Sequence, residues 1–139
     1  MLNLRNHHPG RLLASGGLAL SMLVGGIATP AATLASGGGS AVSVIGHCTS
    51  AATSKLKAKH DSGRIEIEFQ VDQNRNNRAW RVTISDNGSR IFSGIAVTRA
   101  PSGSFTVHRL TANRAGLDTI RARAVNLTSG AVCTATLKV

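Results

Sequence analysis

The chain has no tyrosine, one tryptophan and three phenylalanines. A platform that stacks sugars or unpaired nucleobases needs several exposed rings. Carbohydrate stacking and single-strand binding are therefore disfavoured, and no specific nucleic-acid partner is expected. Acids are also scarce, with six Asp and Glu against 16 Lys and Arg in 139 residues, a net charge of +10. There are only two cysteines. His47 beside two thiolates so far apart supplies too few ligands for a metal centre. Residues 12–28 hold the longest apolar run. No amphipathic helix and no internal repeat is found.

Catalytic patterns are missing as well. There is no Gly-x-Ser-x-Gly turn to present a nucleophile. Glu66 and Glu68 are paired carboxylates, but lysines across the hairpin suit them for ion pairing rather than for acid–base work on glycosidic bonds. His47, His60 and His108 are scattered. Asp72-Gln73-Asn74-Arg75-Asn76-Asn77 has calcium-loop spacing at its first, third and fifth positions. It has Asn77 where glycine is wanted and Thr83 where glutamate is wanted, so it reads as a polar turn. Asn87-Gly88-Ser89 and Asn126-Leu127-Thr128 match the glycosylation pattern, but both overlap tight turns. The expectation is a protein that is not an enzyme and has no cofactor and no metal.

What is present begins with an export pattern. Arg5 and Arg11 mark a short basic start, residues 12–28 are uncharged and apolar, and Thr29-Pro30-Ala31-Ala32-Thr33-Leu34-Ala35 supplies small residues. That order is a secretory signal. An uncleaved anchor needs about 20 apolar residues, and this run is shorter and loosened by Gly16, Gly17, Gly25 and Gly26. The expected organisation is a signal peptide over 1–35, a Gly/Ser-rich tether over 36–46 and one domain over 47–139. Within the tether, 41–45 reads as a short first strand or as more linker. The expected location is secreted, with cell-wall association and no stable membrane insertion after cleavage. Cleavage removes Arg5 and Arg11, leaving 14 basic residues against six acids. In an oxidising compartment Cys48 and Cys133 form a disulfide.

From Lys55 onward apolar residues recur with period two, the signature of strands. Three hairpins are expected. Ser62-Gly63 places Lys59 opposite Glu66, Lys57 opposite Glu68 and Leu56 opposite Phe69. Asn87-Gly88 places Ile84 opposite Ile91, Val82 opposite Ser93 and Trp80 opposite Ile95. Ser129-Gly130 places Ala124 opposite Ala135, Ala122 opposite Leu137 and Ile120 opposite Val139. With a strand over 104–110, this predicts an all-β fold, an antiparallel seven-strand β-sandwich.

Ile120-Arg121-Ala122-Arg123-Ala124-Val125-Asn126 resembles the sixth strand of fibronectin type III modules, and Trp80-Arg81-Val82-Thr83-Ile84 resembles their third. The likeness covers 56–139 and implies a fibronectin type III-like or immunoglobulin-like sandwich. The tyrosine usual near the sixth strand falls at Asp118, so that corner is absent. The whole chain also resembles small secreted actinobacterial proteins with two cysteines and an Asp-Gln-Asn loop followed by Trp. This implies no catalytic residues.

Such a strand order puts strands one, two and five in one sheet. Its outer face carries Lys55, Lys57, Lys59, Glu66, Glu68 and Gln70, compensated across the hairpin. The other sheet's outer face carries Arg81, Arg90, Arg121, Arg123 and Lys138, beside Phe92 and Val125, with no acid among them. Arg121 is expected opposite Lys138. Arginine forks suit phosphate and carboxylate oxygens, which points to an anionic cell-envelope or extracellular polymer as partner. The alternative is an extracellular protein–protein module, an inhibitor or adhesin, acting through loops 72–78 and 100–103.

Overall fold

The computed structural model describes residues 39–139; the expected signal peptide lies outside them. Nine strands follow in order: β1 (Val42–Ile45), β2 (His47–Cys48), β3 (Thr53–Asp61), β4 (Arg64–Asp72), β5 (Ala79–Asp86), β6 (Ser89–Val97), β7 (Ser104–Ala112), β8 (Thr119–Asn126) and β9 (Val132–Lys138). They form two antiparallel sheets, ordered β1-β3-β4-β7 and β2-β9-β8-β5-β6. The seven expected strands are β3 to β9, divided between the sheets as anticipated. Two short strands precede them. Val42–Ile45, within the stretch read as tether, pairs with β3, and His47–Cys48 pairs with β9.

The N-terminal segment thus crosses from one sheet to the other at Gly46. A Cβ there would collide with Ser54 Oγ and with the Thr134 carbonyl oxygen, so no other residue fits the crossing. Just past it, Cys48 stands opposite Cys133 and the two are disulfide-bonded, 85 positions apart.

The inner faces pack Leu56, Ile65, Ile67, Phe69 and Val71 against Trp80, Val82, Ile84, Ile120 and Leu137, all buried. Trp80 meets Phe105 with centroids 6.3 Å apart. Its indole N–H donates to Gln73 Oε1 at 2.7 Å, which also accepts from Asn126 Nδ2 at 3.0 Å. A buried indole keeps its donor satisfied in this way.

The first hairpin has the expected register. Ser62 and Gly63 both have positive φ, the backbone of a tight two-residue turn. The second departs from expectation. Asp86↔Ser89 and Ser85↔Arg90 pair around Asn87-Gly88, then a bulge intervenes and Ile84 faces Phe92, Val82 faces Gly94 and Trp80 faces Ala96. One extra residue reverses which side chains of β6 point inward. Phe92 therefore packs against the core instead of lying on the outer face, while Ile95 is left outside, 53% exposed. The Phe92 ring lies across Gly94, where a Cβ would come within 2.8 Å of it, and the Arg109 guanidinium covers the ring at 4.0 Å. The exchange covers the larger apolar side chain, which burial favours.

The third hairpin is two positions out of the expected register: Ala124 faces Cys133, Ala122 faces Ala135 and Ile120 faces Leu137. Asn126 is the reason. Its Oδ1 accepts from the amides of Thr128 and Ser129, both at 2.9 Å, and its backbone N–H donates to Ala131 O. This closes a four-residue loop in place of a two-residue turn. A shift of two leaves every side chain on its expected face.

Candidate functional site

The outer face of β6-β5-β8-β9 holds the basic residues singled out in the sequence. The registers Ser85↔Arg90, Ser85↔Arg121 and Arg121↔Thr136 put Arg90, Ser85, Arg121 and Thr136 in one row across four strands. Thr83↔Arg123 and Arg123↔Thr134 make a second row two residues along, continued by His47 opposite Thr134. Each central arginine of β8 is thus flanked on both sides by a hydroxyl residue: Ser85 and Thr136 about Arg121, Thr83 and Thr134 about Arg123. A shallow depression of about 460 Å³ runs over them, lined by Thr83, Ser85, Arg90, Arg121, Arg123, Thr134 and Thr136 and floored by Ile84 and Ala122.

Three of the five expected residues therefore share the depression. Arg81 lies on the same face one row further along, opposite Val125 and Ile95. Lys138 lies at the other end, opposite Thr119. The expected facing of Arg121 and Lys138 does not occur, because the four-residue loop brings Thr136 opposite Arg121. That removes a like-charge pair from the sheet. The four hydroxyls were missed in the sequence reading. Their signal was there: Thr83-x-Ser85 and Thr134-x-Thr136 repeat with the same period of two as Arg121-x-Arg123.

Among the described residues, no Asp or Glu lines the depression. Lys57 pairs with Glu68 and Lys59 with Glu66, each at 2.9 Å, on the outer face of the other sheet, as expected. His108 Nδ1 lies 3.5 Å from Glu68. The Lys57 hydrogen bond holds the Glu68 carboxyl below its ordinary range against partial burial, while the bond to Glu66 raises Lys59. Asp86 and Asp118 are buried. Thr111 Oγ1 donates to Asp86 Oδ2 at 3.0 Å, whereas Oδ1 has no partner. Burial pushes the Asp86 carboxyl up, and the neighbouring Asp118 adds to that; Thr111 and Arg114 oppose it. Asp72 accepts from the Asn74 amide at 2.9 Å, which makes the loop that follows a polar turn. Among the described residues, the arginines of the depression make no salt bridge. No group of three His, Cys, Asp or Glu is arranged to hold a metal there.

The loops of the alternative reading also come together. Gln73 N–H donates to Gly103 O, and Gly103 packs so closely on the 74–75 backbone that a Cβ would collide with Arg75 N. Buried Thr98 ties the same loop, donating to Arg75 O at 2.6 Å and accepting from Arg78 N at 3.0 Å. The two glycosylation-type asparagines have structural work instead. Asn87 Nδ2 donates to Asp118 at 2.6 Å, and Asn126 is buried on Gln73.

Compared with protein-family models, with curated proteins and with solved structures, the chain matches none.

Proposed function

We propose that this is a secreted, non-enzymatic binding protein that holds an anionic envelope or extracellular polymer on the arginine face of its five-stranded sheet. The observation that carries this reading is the pair of hydroxyl-flanked arginines, Arg121 and Arg123, beside Arg90 and away from every carboxylate. A guanidinium that spends no charge on the protein keeps its fork for an incoming oxyanion. The export pattern of residues 1–35 and the Cys48–Cys133 disulfide support an oxidising, extracytoplasmic location. The sheet orders β3-β4-β7 and β6-β5-β8-β9 support a fibronectin type III-like arrangement.

The test is retention on an anionic matrix. Binding weakens steeply with salt, as counterion release requires. Replacing Arg90, Arg121 and Arg123 together by glutamine abolishes it. The matched triple at exposed Arg64, Arg75 and Arg99 loses the same charge and keeps most of the retention. Equal loss in both triples refutes the face as the site. Retention that survives high salt and is lost only in the Arg64, Arg75 and Arg99 variant favours a protein partner on the joined 72–78 and 100–103 loops.

A further inference from the structure

The depression is periodic. Its two rows, Ser85–Arg121–Thr136 and Thr83–Arg123–Thr134, have the same chemistry and are displaced by two residues along the strands. Two residues of extended strand advance about 7 Å. One free charge would need one such row, and two equal rows suit a ligand that repeats its charge at the same interval. Arg81 prolongs the series by one row toward Ile95, diagonal to Arg123. Lys138 prolongs it at the opposite end, diagonal to Arg121. Lys138, Arg121, Arg123 and Arg81 thus trace an oblique track over the sheet, with Arg90 to one side of it in the Arg121 row.

Resting on the anion-binding reading above, we infer that the ligand is a linear polyol phosphodiester, a chain of short diol or triol units joined by phosphates, laid along β8 with successive phosphates over Arg121 and Arg123. An extended chain advances about 1.2 Å per backbone bond. Six bonds separate the phosphorus atoms across a three-carbon unit, so by the same measure they lie about 7 Å apart, matching the rows. Each phosphodiester offers non-bridging oxygens to the guanidinium fork and further oxygens on either flank, where the Ser and Thr hydroxyls donate. A carboxylate holds its two oxygens in one plane and must share them between the fork and both hydroxyls, whereas a phosphodiester adds two bridging oxygens outside the plane of its non-bridging pair.

The aromatic content of the face argues in the same direction. Trp80, Phe69 and Phe105 are buried, and Phe92 is turned inward beneath Arg109. A pyranose chain or a strand of nucleobases finds no ring to stack on there. A polyol phosphate needs none. It asks for fixed cations and hydroxyls, and the depression supplies both, with Arg121, Arg123, Thr83 and Ser85 on β8 and β5, the two strands paired on both sides along these rows.

The experiment measures affinity at low salt for three probes at equal charge concentration: poly(glycerol phosphate), polygalacturonate and oligothymidylate. The inference expects poly(glycerol phosphate) to bind about tenfold tighter than either of the others, a discrimination within the range of one charge-assisted contact. It also expects the double variant Arg121→Lys/Arg123→Lys, which keeps the charge and loses the fork, to erase that preference while still binding. Equal affinity for poly(glycerol phosphate) and polygalacturonate overturns the inference and leaves the anion-binding reading standing. Tighter binding of oligothymidylate overturns it in favour of a nucleic acid. Failure of all three probes overturns both readings. If the lysine variant retains the full preference, the fork geometry is not its source and the inference fails.

Discussion

Replacing Cys48 by serine opens the largest covalent loop in the domain. The cystine spans 85 positions. For a loop of that length the chain-entropy estimate is about 4.5 kcal/mol at 25 °C, reduced by whatever structure the denatured chain retains. The structure sharpens this figure in two ways. Cys133 is fully buried and remains in the variant as a small apolar thiol, so no cavity is added to the cost. β2 has only two residue pairs, both with β9, and the segment before it must pass through the tight crossing at Gly46. Besides the cystine, β2 is held to the second sheet by those two pairs and by Thr49, whose amide donates to Val132 O and whose hydroxyl accepts from Val132 N. A domain of this size has roughly 5–15 kcal/mol of net stability, so a loss of about 3–4.5 kcal/mol is a large share. Guanidinium unfolding of the oxidised parent and of Cys48→Ser measures it. The account expects a lower midpoint and a steeper slope for the variant, whose denatured state is less compact and exposes more surface. A loss below about 1 kcal/mol with an unchanged slope would refute the loop-closure argument.

Glycine positions separate backbone strain from steric contact. Gly63 and Gly103 both have positive φ, but a Cβ at 63 meets nothing within 4 Å, whereas at 103 it strikes Arg75 N. Gly63→Ala is expected to cost about 1 kcal/mol and Gly103→Ala roughly 3 kcal/mol or more, read by thermal unfolding; equal costs would contradict the close loop contact. Asp86 controls a pH response. Its carboxyl is raised in the folded state, so its contribution is complete below the unfolded value of about 4 and is lost as pH rises through the folded value. Asp86→Asn should flatten the decline of melting temperature with rising pH above about 4, and an unchanged slope would show that Asp86 titrates normally. Glu68 acts in the opposite sense. Lowered by Lys57, it contributes above its unfolded value of about 4.3 and loses that contribution as pH falls. Glu68→Gln should therefore be most destabilising near neutral pH and nearly silent in acid, by the same measurement.

Period-two patterning made the strands and their division into sheets legible, because an apolar inner face leaves an alternating trace. The first hairpin was legible residue by residue, since its two-residue turn admits one register. The other two were not, for different reasons. The β5–β6 bulge answers to a contact distant in sequence, the Phe92 ring held between Gly94 and Arg109, which local alternation cannot reveal. The β8–β9 loop turns on the Asn126 side chain, whose two bonds to backbone amides favour four residues over the apparent Ser129-Gly130 turn. That loop had consequences for the site. The basic residues were visible as charge without acid, but the hydroxyl on the β9 side of Arg121 depended on a register two positions away from the expected one. Had Lys138 stood opposite Arg121, the two like rows would not exist.

The central claim is that the depression, and not basic charge in general, receives the anion. Titration of the isotopically labelled protein with inorganic phosphate, followed by the backbone amide spectrum, tests it most directly. The account predicts saturable shifts concentrated at Thr83, Ser85, Arg90, Arg121, Arg123, Thr134 and Thr136, and lost in the Arg90, Arg121 and Arg123 glutamine variant. Shifts that are small, unsaturable and spread equally over Arg64, Arg75, Arg99 and Arg114 would contradict it.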